Sequence, residues 1–135
     1  TTGVSGRRII AYCWAEIEGF SKFGSYVGNA SADGPFVYCG FKPAWIMRKK
    51  SSGTGSWEII DSSRSSKNPA SLYNYANLTD AEYTATNIDI LSNGFKIRST
   101  NTGAGEISFG TRNYIYAAWA EAPSFNLYGA QSNAR

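Results

Sequence analysis

Ile88-Asp89-Ile90-Leu91-Ser92-Asn93-Gly94-Phe95-Lys96-Ile97-Arg98 is the stretch on which the fold turns. Two apolar runs flank an Asn-Gly pair, and both turn residues tolerate the positive φ that a two-residue hairpin demands. The reading is therefore two antiparallel strands joined at Asn93-Gly94. The same punctuation recurs outward in both directions. Apolar runs occupy 8–17, Phe36–Phe41, Ala44–Lys49, Trp57–Asp61, Glu106–Phe109 and Asn113–Glu121, each bounded by Gly, Pro, Asn or Ser. With the two arms of the hairpin that makes eight segments, and they argue an all-β, antiparallel sandwich or barrel.

Composition agrees. The chain has 135 residues, enough for one domain and too few for two independent cores. Ser, Thr, Asn and Gly fill 50 of those positions, aromatics reach 15% and charged residues only 17%. Such a mixture favours turns and strands over helices. One short helical turn is expected at Thr79-Asp80-Ala81-Glu82, which fits a capping box.

Several chemistries are excluded at once. The chain has no His, which removes Ser-His-Asp, Cys-His and His-ligated zinc sites. Two cysteines do not make a zinc site, and no Gly-rich phosphate loop with its Lys is present. A net charge of +3 falls well short of a nucleic-acid footprint, so no nucleic-acid partner is expected. No apolar run approaches the ~20 residues of a membrane span, and membrane insertion is not expected either. Asp33, Asp80 and Asp89 lack the dense spacing of a calcium loop, so no metal or cofactor is expected. Cys13 and Cys39 each sit in an apolar run and read as buried free thiols, with a disulfide between neighbouring strands as the alternative.

The first and last long runs echo each other. At an offset of 105 residues Arg7 falls on Arg112, Ile10 on Ile115 and Trp14 on Trp119. Ala15, Glu16 and Phe20 then fall on Ala120, Glu121 and Phe125. This implies tandem units: residues 1–20 close a preceding unit or form a linker, and residues 21–135 make one β-sandwich module. The opening Thr1–Gly6, without Met, reads as the start of a fragment.

A further set of motifs runs through Gly24-Ser25-Tyr26-Val27-Gly28-Asn29, Ala32–Tyr38 and Gly40–Met47. It continues through Trp57–Arg64 with Asn68-Pro69, Leu91–Arg98, Tyr114–Pro123 and the ending Ser132-Asn133-Ala134-Arg135. The resemblance these motifs carry is to a family of bacteriophage tail-fibre and receptor-binding modules. It implies a jelly-roll, concanavalin-like two-sheet sandwich, often in tandem, displayed on the virion at a tail fibre or tail tip. It also implies a homotrimer, contact with other tail-fibre domains, and attachment to a bacterial surface glycan or outer-membrane protein. The shared motifs read as core and turn positions, so no catalytic residues and no enzyme activity are expected.

The individual residues fit that frame. Trp45 and Trp57 are expected as core anchors, with Asp61 and Arg64 closing a turn. Glu16 and Glu121 read as corner caps in successive units rather than as a paired acid and base, because nothing else supplies a cleft. A sugar needs an exposed ring for its apolar face and amides or hydroxyls for its edge. The densest such stretch is 65–77, where Tyr73, Asn74, Tyr75 and Asn77 alternate ring and amide beside Arg64, Lys67 and Asn68. A second candidate is a cationic tip of Arg48, Lys49, Lys50, Arg98, Asn101 and Arg112. The expected function is non-enzymatic attachment to a bacterial surface, with a purely structural fibre connector as the alternative.

Overall fold

A computed structural model describes residues 6, 8, 10–98 and 112–122. It contains β1 (Ser21–Val27), β2 (Phe36–Tyr38), β3 (Trp45–Lys50), β4 (Glu58–Asp61), β5 (Ala70–Tyr75), β6 (Tyr83–Leu91), β7 (Gly94–Ile97) and β8 (Asn113–Trp119). Every pairing is antiparallel, and the strands form one sheet in the order β1-β8-β3-β4-β5-β6-β7-β2. That sheet is nearly closed into a barrel. The described residues include no helix.

The hairpin that decides the fold forms between the expected arms, with Ile90 opposite Phe95 and Leu91 opposite Gly94, but its turn falls on Ser92-Asn93 rather than Asn93-Gly94, and neither Asn93 nor Gly94 takes a positive φ. Gly94, the first residue of β7, is required by a close approach. A Cβ there would lie 2.1 Å from the Val37 carbonyl oxygen of β2.

Curvature brings distant strands together over one core. Ile46, Ile60, Ile88 and Ile97 are fully buried. Tyr26 and Tyr114 stack with centroids 5.0 Å apart, which joins β1 to β8. Phe95 of β7 meets Tyr26 edge-on at 6.3 Å and Tyr116 at 5.4 Å. The two ends of the sheet thus share an aromatic centre, and each such ring contributes about 1.5–3 kcal/mol by leaving water.

The interior also holds a polar knot. Arg48, Glu58 and Asn87 are 1%, 3% and 0% exposed. Arg48 stands opposite Glu58 in the β3–β4 ladder. Its Nε and Nη2 donate to Glu58 Oε2 at 3.0 and 2.9 Å, and Nη2 also donates to Asn87 Oδ1 of β6. Burial works against the guanidinium charge, but the adjoining Glu58 carboxylate more than offsets it and keeps Arg48 protonated.

The structure corrects several expectations. Arg48 lies on the same strand face as Ile46, so it points into the core and is not part of a cationic tip. On β4 the alternation is as expected, but Glu58 and Ile60 face inward, leaving Trp57 half-buried outside; Trp45 is likewise half-buried on the outer face of β3. Thr79–Glu82 forms no helical turn, because Tyr83 donates to Asp80 and Glu82 binds Arg64. Residues 10–16 are not part of the sheet of this chain, and Cys13 is exposed; Cys39 is buried, and both thiols are free. Strands β1 and β5 arise where no strand is expected. The 106–109 run, Asn101 and Phe125 lie outside the described residues.

Glu58→Ala strands a buried guanidinium and is expected to cost about 3–5 kcal/mol in urea unfolding. Glu58→Leu combined with Arg48→Met is expected to be more stable than either single change. Single changes costing under ~1 kcal/mol would contradict the knot.

Candidate functional site

Strand β5 decides the fate of the 65–77 candidate. A strand sends alternate side chains to opposite faces. Tyr73 and Tyr75 therefore turn inward, at 6% and 9% exposure, while Asn74 lies on the other face opposite Ile59. The rings pack against each other at 5.6 Å and against Tyr83 at 5.5 and 5.1 Å. Burial pushes the Tyr75 hydroxyl well above its ordinary value. The alternation of ring and amide is thus the alternation of a strand, and it does not bring rings and amides onto one surface.

The flanking members of the candidate hold turns together. Asn68 donates from Nδ2 to the Ile90 carbonyl and accepts from the Ile90 N–H, both at 2.8 Å, so its amide extends the edge of β6. The Asn68–Pro69 peptide bond is cis. Asn77 Oδ1 accepts from the Trp57 N–H at 2.7 Å. Arg64 binds Asp61 through both side-chain and backbone N–H groups and reaches Glu82 Oε2 at 3.0 Å, the turn-closing pair read from the sequence. Burial would raise the Asp61 carboxyl, but the bonds from Arg64 more than offset it and hold it below its ordinary value. Lys67 projects into solvent.

The second candidate is divided. Arg48 is buried, Lys49 lies 5.3 Å over the Trp57 ring, and Arg98 pairs with Asp89 at 3.3 Å. Lys50 ends β3 opposite Tyr114, near Arg112 at the head of β8. Asn101 lies outside the described residues.

Two groups of exposed rings escape both candidates. Phe36 and Tyr38 are 45% and 64% exposed on β2, the last strand in the sheet order. Phe36 lies against Gly94, where its ring would be 3.1 Å from an added Cβ. Lys96 stands opposite Phe36 and pairs with Asp33 at 2.6 Å. The second group covers the outer face of β1, β8 and β3. Trp119 packs against Phe23 at 5.3 Å, Trp45 at 5.0 Å and Trp14 at 5.9 Å, and Tyr12 stacks on Trp14 at 6.1 Å. Phe36 and Tyr38 could have been found from their i, i+2 spacing in a short run next to Pro35, a pattern that marks an edge strand.

Among the described residues no three His, Cys, Asp or Glu side chains converge as a metal site. Burial lifts the Cys39 thiol to about 12.

The geometry is that of an all-β antiparallel domain with exposed rings on its edge and outer face. The chain belongs to the DUF7483 family, a domain of unknown function, whose model matches residues 1–123. No curated protein and no solved structure matches it.

Asn68→Ala removes two buried-edge hydrogen bonds and is expected to cost about 1–3 kcal/mol in thermal unfolding, whereas Lys67→Ala stays within ~0.5 kcal/mol. The Asp61 contribution is complete above the unfolded carboxyl value near ~3.9 and is lost as pH falls through the lower folded value. The stability gap between the parent and Asp61→Asn is accordingly expected to narrow below about pH 4. A gap that is constant from pH 7 to 2.5 would contradict this.

Proposed function

We propose that this chain is a non-enzymatic attachment module of a phage tail fibre or tail tip, which binds a bacterial surface glycan or outer-membrane protein. The observation that carries the reading is the pair of exposed rings on the edge strand, Phe36 and Tyr38, beside the Lys96–Asp33 ion pair. A pyranose stacks its apolar face on such a ring and offers its hydroxyls to neighbouring charged groups. The sequence resemblance to tail-fibre modules supports the same assignment. In this reading the nearly closed sheet is a jelly-roll-like sandwich, with β5 shared between its two halves.

A single edge-strand platform is a weak site, and three copies on a trimeric fibre compensate. Linked sites raise overall affinity ~10²–10⁴-fold without new contacts. The alternative is a fibre connector without receptor contact, which the aromatic outer face of β1, β8 and β3 favours.

Purified chain is expected to bind host surface polysaccharide with a Kd of about 1 mM and to compete with phage adsorption. Tyr38→Ala is expected to weaken binding ~10-fold, with unfolding shifted by less than ~0.5 kcal/mol. Competition by the parent and by Tyr38→Ala to the same extent would overturn the edge-strand site. No competition by either would leave the connector.

A further inference from the structure

Residues 10–16 carry a strand-like sequence but belong to no sheet among the described residues. All seven are exposed, among them Ile10, Tyr12 and Trp14 at 79%, 75% and 58%, and none has a ladder partner among the described residues. Exposed apolar surface in such a run marks an interaction. Trp14 reaches the outer face described above, with Tyr12 stacked behind it.

The pattern of the segment belongs to a central strand. Ile10, Tyr12 and Trp14 fall on one face, Ala11 and Cys13 on the other, and both faces are apolar. A strand facing water on one side alternates apolar with polar; one covered on both sides does not. Strand β8 has that two-sided character. It lies between β1 and β3, with Tyr114, Tyr116 and Ala118 facing inward and Ile115, Ala117 and Trp119 facing outward.

The 105-residue echo maps one segment onto the other in matching phase. Ile10 and Trp14 fall on the outward Ile115 and Trp119, and Cys13 falls on the fully buried Ala118. The match runs on past the strand, where Phe20 falls on Phe125 and Gly24 on Gly129. Gly24 has a structural reason to recur. It stands opposite Tyr116 in the β1–β8 ladder, and a Cβ there would lie 3.0 Å from the Tyr116 ring. In sequence, the echo therefore runs from the β8-like segment into β1. Between the two, Ile17 bridges to Ser21, and Glu16 accepts from the Phe23 N–H and from Lys22 at 2.8 Å, which fixes the corner.

We infer that residues 10–16 belong to the eighth strand of a second sheet of this same kind, seated between its first and third strands as β8 is seated here. The partner is another unit of this family, and recognition is backbone pairing on both edges with apolar side chains filling both faces. This inference is independent of the attachment reading.

Joining residues 17–105 ahead of Thr1 of the full chain places residues 7–16 at the β8 position of an added copy. Cys13 is the reporter, because it is exposed in the single chain and takes the place of buried Ala118 in the fusion. Its reaction with a thiol reagent is expected to slow at least ~100-fold relative to the single chain. A second fusion carrying Ala11→Tyr restores the ring that packs over Gly24 and Phe95. Protection confined to that second fusion supports the seat and assigns the failure of the first to the missing ring. Labelling of Cys13 at the single-chain rate in both fusions would overturn the proposal.

Discussion

The fold depends on a charge that has no access to water. Arg48 enters the core from β3 and finds Glu58 on β4 and Asn87 on β6. Leaving any one of them unpaired costs more than most single apolar contacts contribute. The knot therefore favours the one curvature that brings β6 across to β3, and with it the approach of Phe95 to Tyr26 and Tyr116. Apolar burial supplies most of the driving force, while the polar knot selects which closed arrangement is reached.

The same closure sorts the surface. Side chains of the 65–77 stretch that resemble a ligand site are drawn into β5 and its turns, so the rings of Tyr73 and Tyr75 and the amides of Asn68 and Asn77 are engaged within the domain. Rings left outside include those of the edge strand β2 and of the outer face of β1, β8 and β3. The exposed rings therefore fall on different parts of the molecule, at the edge of the sheet and across its outer face.

Much of the architecture was legible in the residues. The hairpin between the 88–91 and 94–98 runs was legible from the turn residues that separate two apolar arms, although the turn falls on Ser92-Asn93 and Gly94 serves the close approach of Val37 instead of a positive φ. The Asp61–Arg64 turn was legible for a similarly local reason. Strand β1 was hidden because Ser21–Val27 has few aliphatic side chains and contains Gly24, whose role appears only once Tyr116 lies over it. Strand β5 was hidden because ring-amide alternation also describes a sugar platform. The faces of β3 and β4 were inverted since Trp looks like a better core residue than Arg or Glu, and only the partner across the ladder reveals that Arg48 and Glu58 neutralise each other. Of the candidate site, sequence gave the residues that brace the loops; the exposed rings of β2 needed the sheet order to be seen as an edge.

The most direct test of the closed sheet is nitrogen-15 NMR of the Arg48 side chain. The Nε–H that donates to Glu58 is predicted to exchange with deuterium as slowly as the core amides of β3 and β8, and to show cross-peaks to the Asn87 amide. An Arg48 Nε–H that exchanges at the rate of a solvent-exposed guanidinium, without contact to Asn87, would contradict the account.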